Sequence, residues 1–324
     1  MRADDPVLAW LLEPSQPSMR FLASRDLLSP KPSAAALARL RAQVPQLGWA
    51  ARILARQREG TWWATNRTCY YPKYRSTMWQ LEVLGDLGCT RRDPRIARAV
   101  DFWFARHYDA KGGGYAPGQR GDAYGQFTAS HFCTTGIMAR ALIRLGYTDD
   151  PRVQSALDWL LREQLPDGGW DCFGRTRGTI DAWEAMHAFA EVPLRRRSPA
   201  MRNAIARGAE FFLDRGLLHE GPRFERWYWC RYPWHYHYDH LVGLDFLTAL
   251  GHGRDKRLEE AWANLEGKRL PDGRWRLDHT NGDLVVEPRG RPSKMITFLA
   301  LRALRRAGRS TESPAPAGFR RGRT

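Results

Sequence analysis

The chain has 324 residues, 43% of them hydrophobic and 12% aromatic, which is enough apolar material for a large core, yet no apolar run is long enough to span a bilayer. Its formal net charge of +16 comes mostly from arginine, since only six of the 51 basic residues are lysine. These arginines are scattered, and no helix-turn-helix, zinc-finger or RNA-binding signature accompanies them, which argues against a nucleic-acid partner. Five cysteines without paired spacing, and acids where a signal peptide needs a basic segment, lead us to expect a reduced, cytoplasmic protein. Contact with a membrane surface stays open.

Taken in chain order, the pattern predicts helices and no strands. Pro6–Leu12 is a short apolar segment, followed by a helix over Ser18–Leu28 and a second over Leu47–Arg56. Thereafter short helices apolar on most sides, at Ser76–Leu87, Thr134–Leu145, Asp181–Val192, His240–Leu250 and Ser293–Arg306, alternate with amphipathic ones. The amphipathic set is Pro94–Tyr108, Pro151–Gln164, Pro199–Leu213 and Lys256–Leu265, three of them with proline in the first turn. A helix apolar all round is buried, and an amphipathic one covers it. About six inner helices wrapped by about six outer ones make an all-α, double-ringed α/α toroid, closed by Pro6–Leu12. Residues 1–308 are expected to form one such domain and residues 309–324, arginine-rich and without periodicity, a disordered basic tail.

Two phrases mark the repeat. Gly60-Thr-Trp62, Gly113-Gly-Tyr115, Gly168-Gly-Trp170 and Gly273-Arg-Trp275 recur at about 53 residues or twice that, with Gly221-Pro-Arg-Phe224 at the midpoint of the long gap. Out of phase with them run Leu87-Gly-Cys-Thr-Arg-Arg-Asp-Pro-Arg95, Leu145-Gly-Tyr-Thr-Asp-Asp-Pro-Arg152 and Leu250-Gly-His-Gly-Arg-Asp-Lys-Arg257. The stretches Pro166-Asp-Gly-Gly-Trp170 and Pro271-Asp-Gly-Arg-Trp275 resemble the prenyltransferase/squalene oxidase repeats of the terpenoid cyclase and protein prenyltransferase superfamily, over roughly residues 15–308. The resemblance implies an α/α barrel around an apolar, aromatic-lined cavity, with the chemistry near the starts of inner helices. Several helix N-termini would then gather at one mouth, suited to an anionic head group.

The stretches that open the inner helices hold the candidate residues. Thr179-Ile-Asp-Ala-Trp-Glu184 resembles the Asp-x-Asp-Asp stretch of proton-initiated cyclases, and the resemblance puts Asp181 on the middle aspartate, the proton donor. Thr179 and Ala182 replace its neighbours, and Asp181 equally suits an N-cap with Glu184 in a capping box. Asp149-Asp150, before an outer helix, reads as structural rather than as a magnesium cluster. His131, Cys133 and Cys172 have zinc-ligand chemistry, in a segment that echoes the histidine element of protein prenyltransferases; unpaired cysteines are also common core filler. Trp234-His-Tyr-His-Tyr-Asp-His240 offers His235, His237, Asp239 and His240 as cavity-lining groups, with Asp239 and His240 as catalytic candidates. Tyr71, Lys73 and Arg75 would grip an anionic head group, and Trp79, Trp183 and Phe246 would face a cation or pack in the core. The functional expectation is an isoprenoid-handling enzyme or binder, of cyclase or transferase type, acting on a hydrophobic ligand with an anionic head. The alternatives are a non-catalytic ligand-binding toroid and a helical-ring enzyme acting on acidic sugars.

Overall fold

The computed structural model describes residues 1–2, 4–118, 127–281 and 286–312. Most of the basic tail, from residue 313 on, lies outside the described residues. Thirteen α-helices follow one another: α1 (Pro6–Leu11), α2 (Pro17–Asp26), α3 (Ala34–Gln43), α4 (Gly48–Leu54), α5 (Thr77–Asp86), α6 (Pro94–His107), α7 (Phe132–Leu145), α8 (Pro151–Arg162), α9 (Glu184–Glu191), α10 (Pro199–Leu213), α11 (His240–Ala249), α12 (Glu259–Gly267) and α13 (Lys294–Ala307). Among the described residues, β structure is confined to isolated bridges, and no helix is long and apolar enough to cross a membrane.

The contacts close a ring. α5, α7, α9, α11, α13 and α2 pack side by side in that order, and α1, α4, α6, α8, α10 and α12 lie outside them. α1 bridges α13 and α2, where Lys294 pairs with Glu13 at 2.9 Å. The join from α2 to α5 is made where Gly88 lies against Phe21, so close that a Cβ on Gly88 would sit 2.8 Å from the ring. α7 and α9 approach just as tightly, a Cβ on Gly136 meeting that of Glu184 at 2.5 Å. The fold is the all-α toroid with six inner and six outer helices that the periodicity predicts.

Each recurring phrase has a mechanical role. The Asp-Pro-Arg phrase starts an outer helix: Asp93 and Asp150 accept the backbone N–H two residues on and clasp the side chains of Arg95 and Arg152, at 2.7 Å in both cases. Where its aromatic is tryptophan, the glycine–aromatic phrase ends the preceding outer helix. Trp170 donates its indole N–H to Leu160 O at 2.8 Å and Trp275 donates to Leu265 O at 2.7 Å, satisfying carbonyls that a helix C-terminus leaves open. In the first repeat the residue that does this is Trp63, bonded to Ile53 O, so the register is one residue later than Trp62. Phe224 is 44% exposed and caps nothing, so the mark at residues 221–224 does not belong to the series.

Three further differences matter. α3 lies beyond the two-element repeat, and none of its residues is buried, so it adds no core stripe to read. α9 begins at Glu184, not at Asp181: its cap residue is Trp183, and residues 179–183 form a turn held by Thr179 N–H on Trp170 O and Ile180 N–H on Glu220. Asp181 is therefore neither an N-cap nor half of a capping box. The centre of the ring, finally, is filled by the chain itself. In the loop before α11, Tyr232, Trp234 and His235 are each at most 3% exposed. Trp234 stacks edge-on against His187 of α9, and His235 Nδ1 meets Glu82 Oε2 of α5 at 2.7 Å. Beyond this plug lies a charge network: Arg140 on Asp86 at 2.7 Å, Arg144 on Glu191 at 2.8 Å, and Asp245 accepting from Arg302 at 2.7 Å and Arg306 at 3.0 Å. Arg144 also donates to Gly85 O, Arg41 to Gly88 O and Arg306 to Asp245 O. Part of the scattered arginine thus caps inner-helix carbonyls, where a cation meets the negative end of the dipole.

Candidate functional site

The plug leaves a cavity of about 380 Å³ at the mouth, over the inner-helix N-termini. Four connections build it. The loop before α5 brings Tyr70 and Lys73, the start of α7 brings His131 and Cys133, and the loop into α9 brings Asp171, Cys172, Asp181 and Glu184. The loop before α11 adds Arg226, Arg231, Tyr236, His237 and Tyr238. Six residues picked out in the sequence therefore meet in one place: Lys73, His131, Cys133, Cys172, Asp181 and His237.

Two groups in this wall carry unmet polar capacity. Glu184 is 2% exposed, and neither carboxyl oxygen has a hydrogen-bond partner among the described residues. Burial, then the neighbouring Cys133, push its pKa well above the usual carboxylate range, which favours the neutral acid. Arg231 is also 2% exposed; its Nε has no partner and its guanidinium makes no ion pair among the described residues. Burial lowers its pKa from the ordinary arginine value, although a guanidinium stays charged at neutral pH. The buried Asp239 offsets part of this charge from nearby, but it bonds the Arg231 backbone N–H and not the guanidinium, so the side chain can still take an anionic ligand.

Around these, Asp181 Oδ1 accepts from the Trp227 indole at 3.0 Å, which fixes its carboxylate at the cavity edge. Lys73 Nζ reaches Tyr236 Oη at 3.4 Å and lies 4.9 Å from that ring's centre. Tyr74 Oη bonds Tyr236 Oη at 2.5 Å and His237 Nε2 at 3.2 Å. His237 is held neutral, its pKa brought down to about 3 by burial and by the nearby Arg231.

The remaining candidates lie elsewhere, for identifiable reasons. His240 is fully buried, with Nδ1 3.1 Å from Trp227 O and the ring against Asn264; burial brings its pKa to about 4. Asp239 caps α11 through the Val242 N–H and accepts the Arg231 backbone N–H, while burial raises it to about 7. Both make structural bonds, and neither lines the cavity. His235 belongs to the plug. Trp79 is sealed behind Tyr70 and Tyr74 and donates to Tyr70 O. Trp183 packs on His187 and Trp234, so neither indole faces the cavity. Tyr71 is 45% exposed outside the cavity, and Arg75 lines a separate surface hollow with Arg56 and Arg58. The zinc expectation also fails on geometry: among the described residues no three His, Cys, Asp or Glu side chains are arranged to hold a metal ion. His131 instead turns Nδ1 to Cys133 Sγ, at 3.4 Å.

Sequence reasoning missed Arg231 and set Glu184 aside. Glu184 had a signal, being an acid in the first turn of a helix otherwise apolar enough to be buried. Arg231 had none, because its burial depends on the plug.

No family model matches the chain, and no curated protein does. Solved structures do. A protein from Actinoplanes is 18% identical over 90% of this chain and 89% of its own, with a TM-score of 0.44. A glycosyl hydrolase family 88 protein from Bacteroides vulgatus is 13% identical over 92% and 75%, with a TM-score of 0.32. The ligand-free type II terpene cyclase MstE from Scytonema is 16% identical over 93% and 88%, with a TM-score of 0.46. These are likenesses of fold, and the α/α toroid itself stands on the helix contacts of this chain.

Proposed function

We propose that the protein is a toroid enzyme that admits an amphiphilic anion of isoprenoid character to the mouth cavity and protonates it from Glu184. The observation that carries this reading is the pairing, in one cavity, of a buried cation whose Nε has no partner and a buried acid with neither carboxyl oxygen bonded, among the described residues. Arg231, with Lys73 and Arg226, supplies positive charge for the anionic head. Tyr70, Phe173, Phe224, Tyr236 and Tyr238 supply aromatic surface for the apolar body and for a cation formed on it. The volume is within the usual range of small-molecule sites, about 300–1,000 Å³.

The proton inventory is short. Glu184 enters the reaction neutral and gives its proton to a double bond. The carboxylate left behind sits at the first residue of α9, where unpaired amides stabilise negative charge. Asp181, at the same cavity, is placed to take a proton from the cationic product. This reading moves the donor from Asp181, where the family resemblance put it, to Glu184.

The test is thermal stability of the full chain with prenyl diphosphates against inorganic pyrophosphate at matched ionic strength. A ligand at 100 times its Kd adds about 2.7 kcal/mol, so prenyl compounds should raise Tm by several degrees and pyrophosphate by much less. A shift with neither overturns the anionic-head reading. A shift with oligouronates instead would favour an acidic-sugar site. Glu184→Gln should bind the prenyl compound and form no product; binding by wild type without turnover would leave a ligand-binding toroid.

A further inference from the structure

The residues whose types suggest zinc make a different arrangement. Cys133 is the second residue of α7, in the turn where backbone amides are unpaired. Around its sulfur stand His131 Nδ1 at 3.4 Å, the backbone N–H of Thr134, and the thiol of Cys172. These donors favour a thiolate, and they hold the Cys133 thiol well below its ordinary pKa, while its charge raises that of His131. Cys172 takes the opposite part. Ionising it beside Cys133 would set two negative charges together, so it remains a thiol. It sits in the loop into α9, in a turn pinned by Asp171, whose Oδ2 accepts the backbone N–H of Phe173 at 2.6 Å and of Arg175 at 2.8 Å. Both sulfur residues are half-buried and line the mouth cavity. The other three cysteines, Cys69, Cys89 and Cys230, are at most 3% exposed, and burial pushes their thiols up.

From two half-buried sulfurs that line one cavity, one of them 3.4 Å from His131 Nδ1, we propose that Cys133 and Cys172 are a redox-active dithiol, oxidised by hydroperoxides to a disulfide. The Cys133 thiolate attacks one oxygen of hydrogen peroxide, the O–O bond breaks, and the departing hydroxide takes up a proton to leave as water. Cys133 is then a sulfenic acid. The Cys172 sulfur attacks it as its own proton passes to the departing oxygen; the S–O bond breaks, the S–S bond forms and a second water leaves. Two electrons have moved from the sulfurs to the peroxide. The disulfide staples the loop that carries Asp181 to the first turn of α7 and removes the negative charge beside Glu184. The dithiol stands whether or not the cavity takes an isoprenoid, but its oxidation would reset that site.

The experiment treats the full chain with a few equivalents of hydrogen peroxide, alkylates the remaining thiols in denaturant and maps the peptides by mass spectrometry. The expected product is one Cys133–Cys172 disulfide, two hydrogens lighter and reversed by dithiothreitol, with Cys69, Cys89 and Cys230 alkylated. Cys172→Ser should stop at the sulfenic acid, trapped on Cys133 by dimedone, and Cys133→Ser should yield neither product. In the untreated protein at mildly acidic pH, iodoacetamide should label Cys133 about tenfold faster than Cys172. Uniform oxidation of all five cysteines, over-oxidation of Cys133 without the disulfide, or no oxidation would each overturn the proposal. The wild-type map decides even if a variant does not fold.

Discussion

Replacing Arg231 by methionine should make the ligand-free protein more stable, which is unusual for so buried a residue. Its side chain is 2% exposed, Nε has no partner among the described residues, and the nearby buried Asp239 bonds its backbone N–H and not the guanidinium. The backbone N–H that binds Asp239 at 3.0 Å survives the change, so the cap on α11 is kept. Methionine matches the unbranched stem and removes the buried charge. Exchanging buried ionic groups for apolar ones of similar volume is often neutral or stabilising, by about 1–4 kcal/mol. At about 2 °C per kcal/mol for a chain of this size, Tm should rise by about 2–8 °C. Ligand reverses the order: wild type gains about 2.7 kcal/mol at 100 times Kd, and Arg231→Met should gain almost nothing. Differential scanning calorimetry of both proteins, with and without prenyl diphosphate, reads all four states. A ligand-free variant several degrees below wild type would show that the guanidinium holds the fold together, and the anion-site argument would fall.

Other outcomes follow from the same geometry. Burial raises the Glu184 carboxyl above its free value, so wild-type stability should fall as pH rises past 4.5. Glu184→Gln removes that contribution, and its Tm advantage over wild type should grow with pH in paired melts; parallel profiles would refute a buried neutral acid. His187 and His240 have folded pKa values near 4 and His237 one of about 3, all below the ordinary 6.5, so the three bind protons on unfolding. Stability present above pH 6.5 should be lost toward pH 4, by about 4 kcal/mol per pH unit for the three together, and His187→Gln should remove about a third of that slope. Asp245→Asn strips the shared acceptor from Arg302, Arg306 and His187 and should cost about 3–5 kcal/mol in urea denaturation. A loss under 1 kcal/mol would mean the arginines find other partners.

The ring was legible because its information is local. An apolar helix reads as inner whatever its neighbours are, and the Asp-Pro-Arg and glycine–tryptophan phrases act on the helix beside them, through an N-cap or through an indole on the tenth residue back. Errors entered where one position had to be chosen without its partner. Trp62 and Trp63 are equally aromatic, and only the bond to Ile53 O distinguishes them. Asp181 has the chemistry of a cap, but Trp227, far along the chain, holds it instead.

By itself, then, the sequence determined an all-α toroid, the alternation of buried and covering helices, and the stretches from which a mouth would be built, because periodicity and capping act within a few turns. Only the tertiary structure decided which of those stretches share a space. It put Lys73, Cys133, Cys172, Asp181 and His237 around one cavity, sent His240 and Asp239 to structural bonds, and filled the ring with Tyr232, Trp234 and His235. It also buried Glu184 with neither carboxyl oxygen bonded, and Arg231 with Nε unbonded, among the described residues. Burial and the absence of a partner are properties of everything that surrounds a group, and here those surroundings come from loops up to about 160 residues apart, which no local pattern encodes.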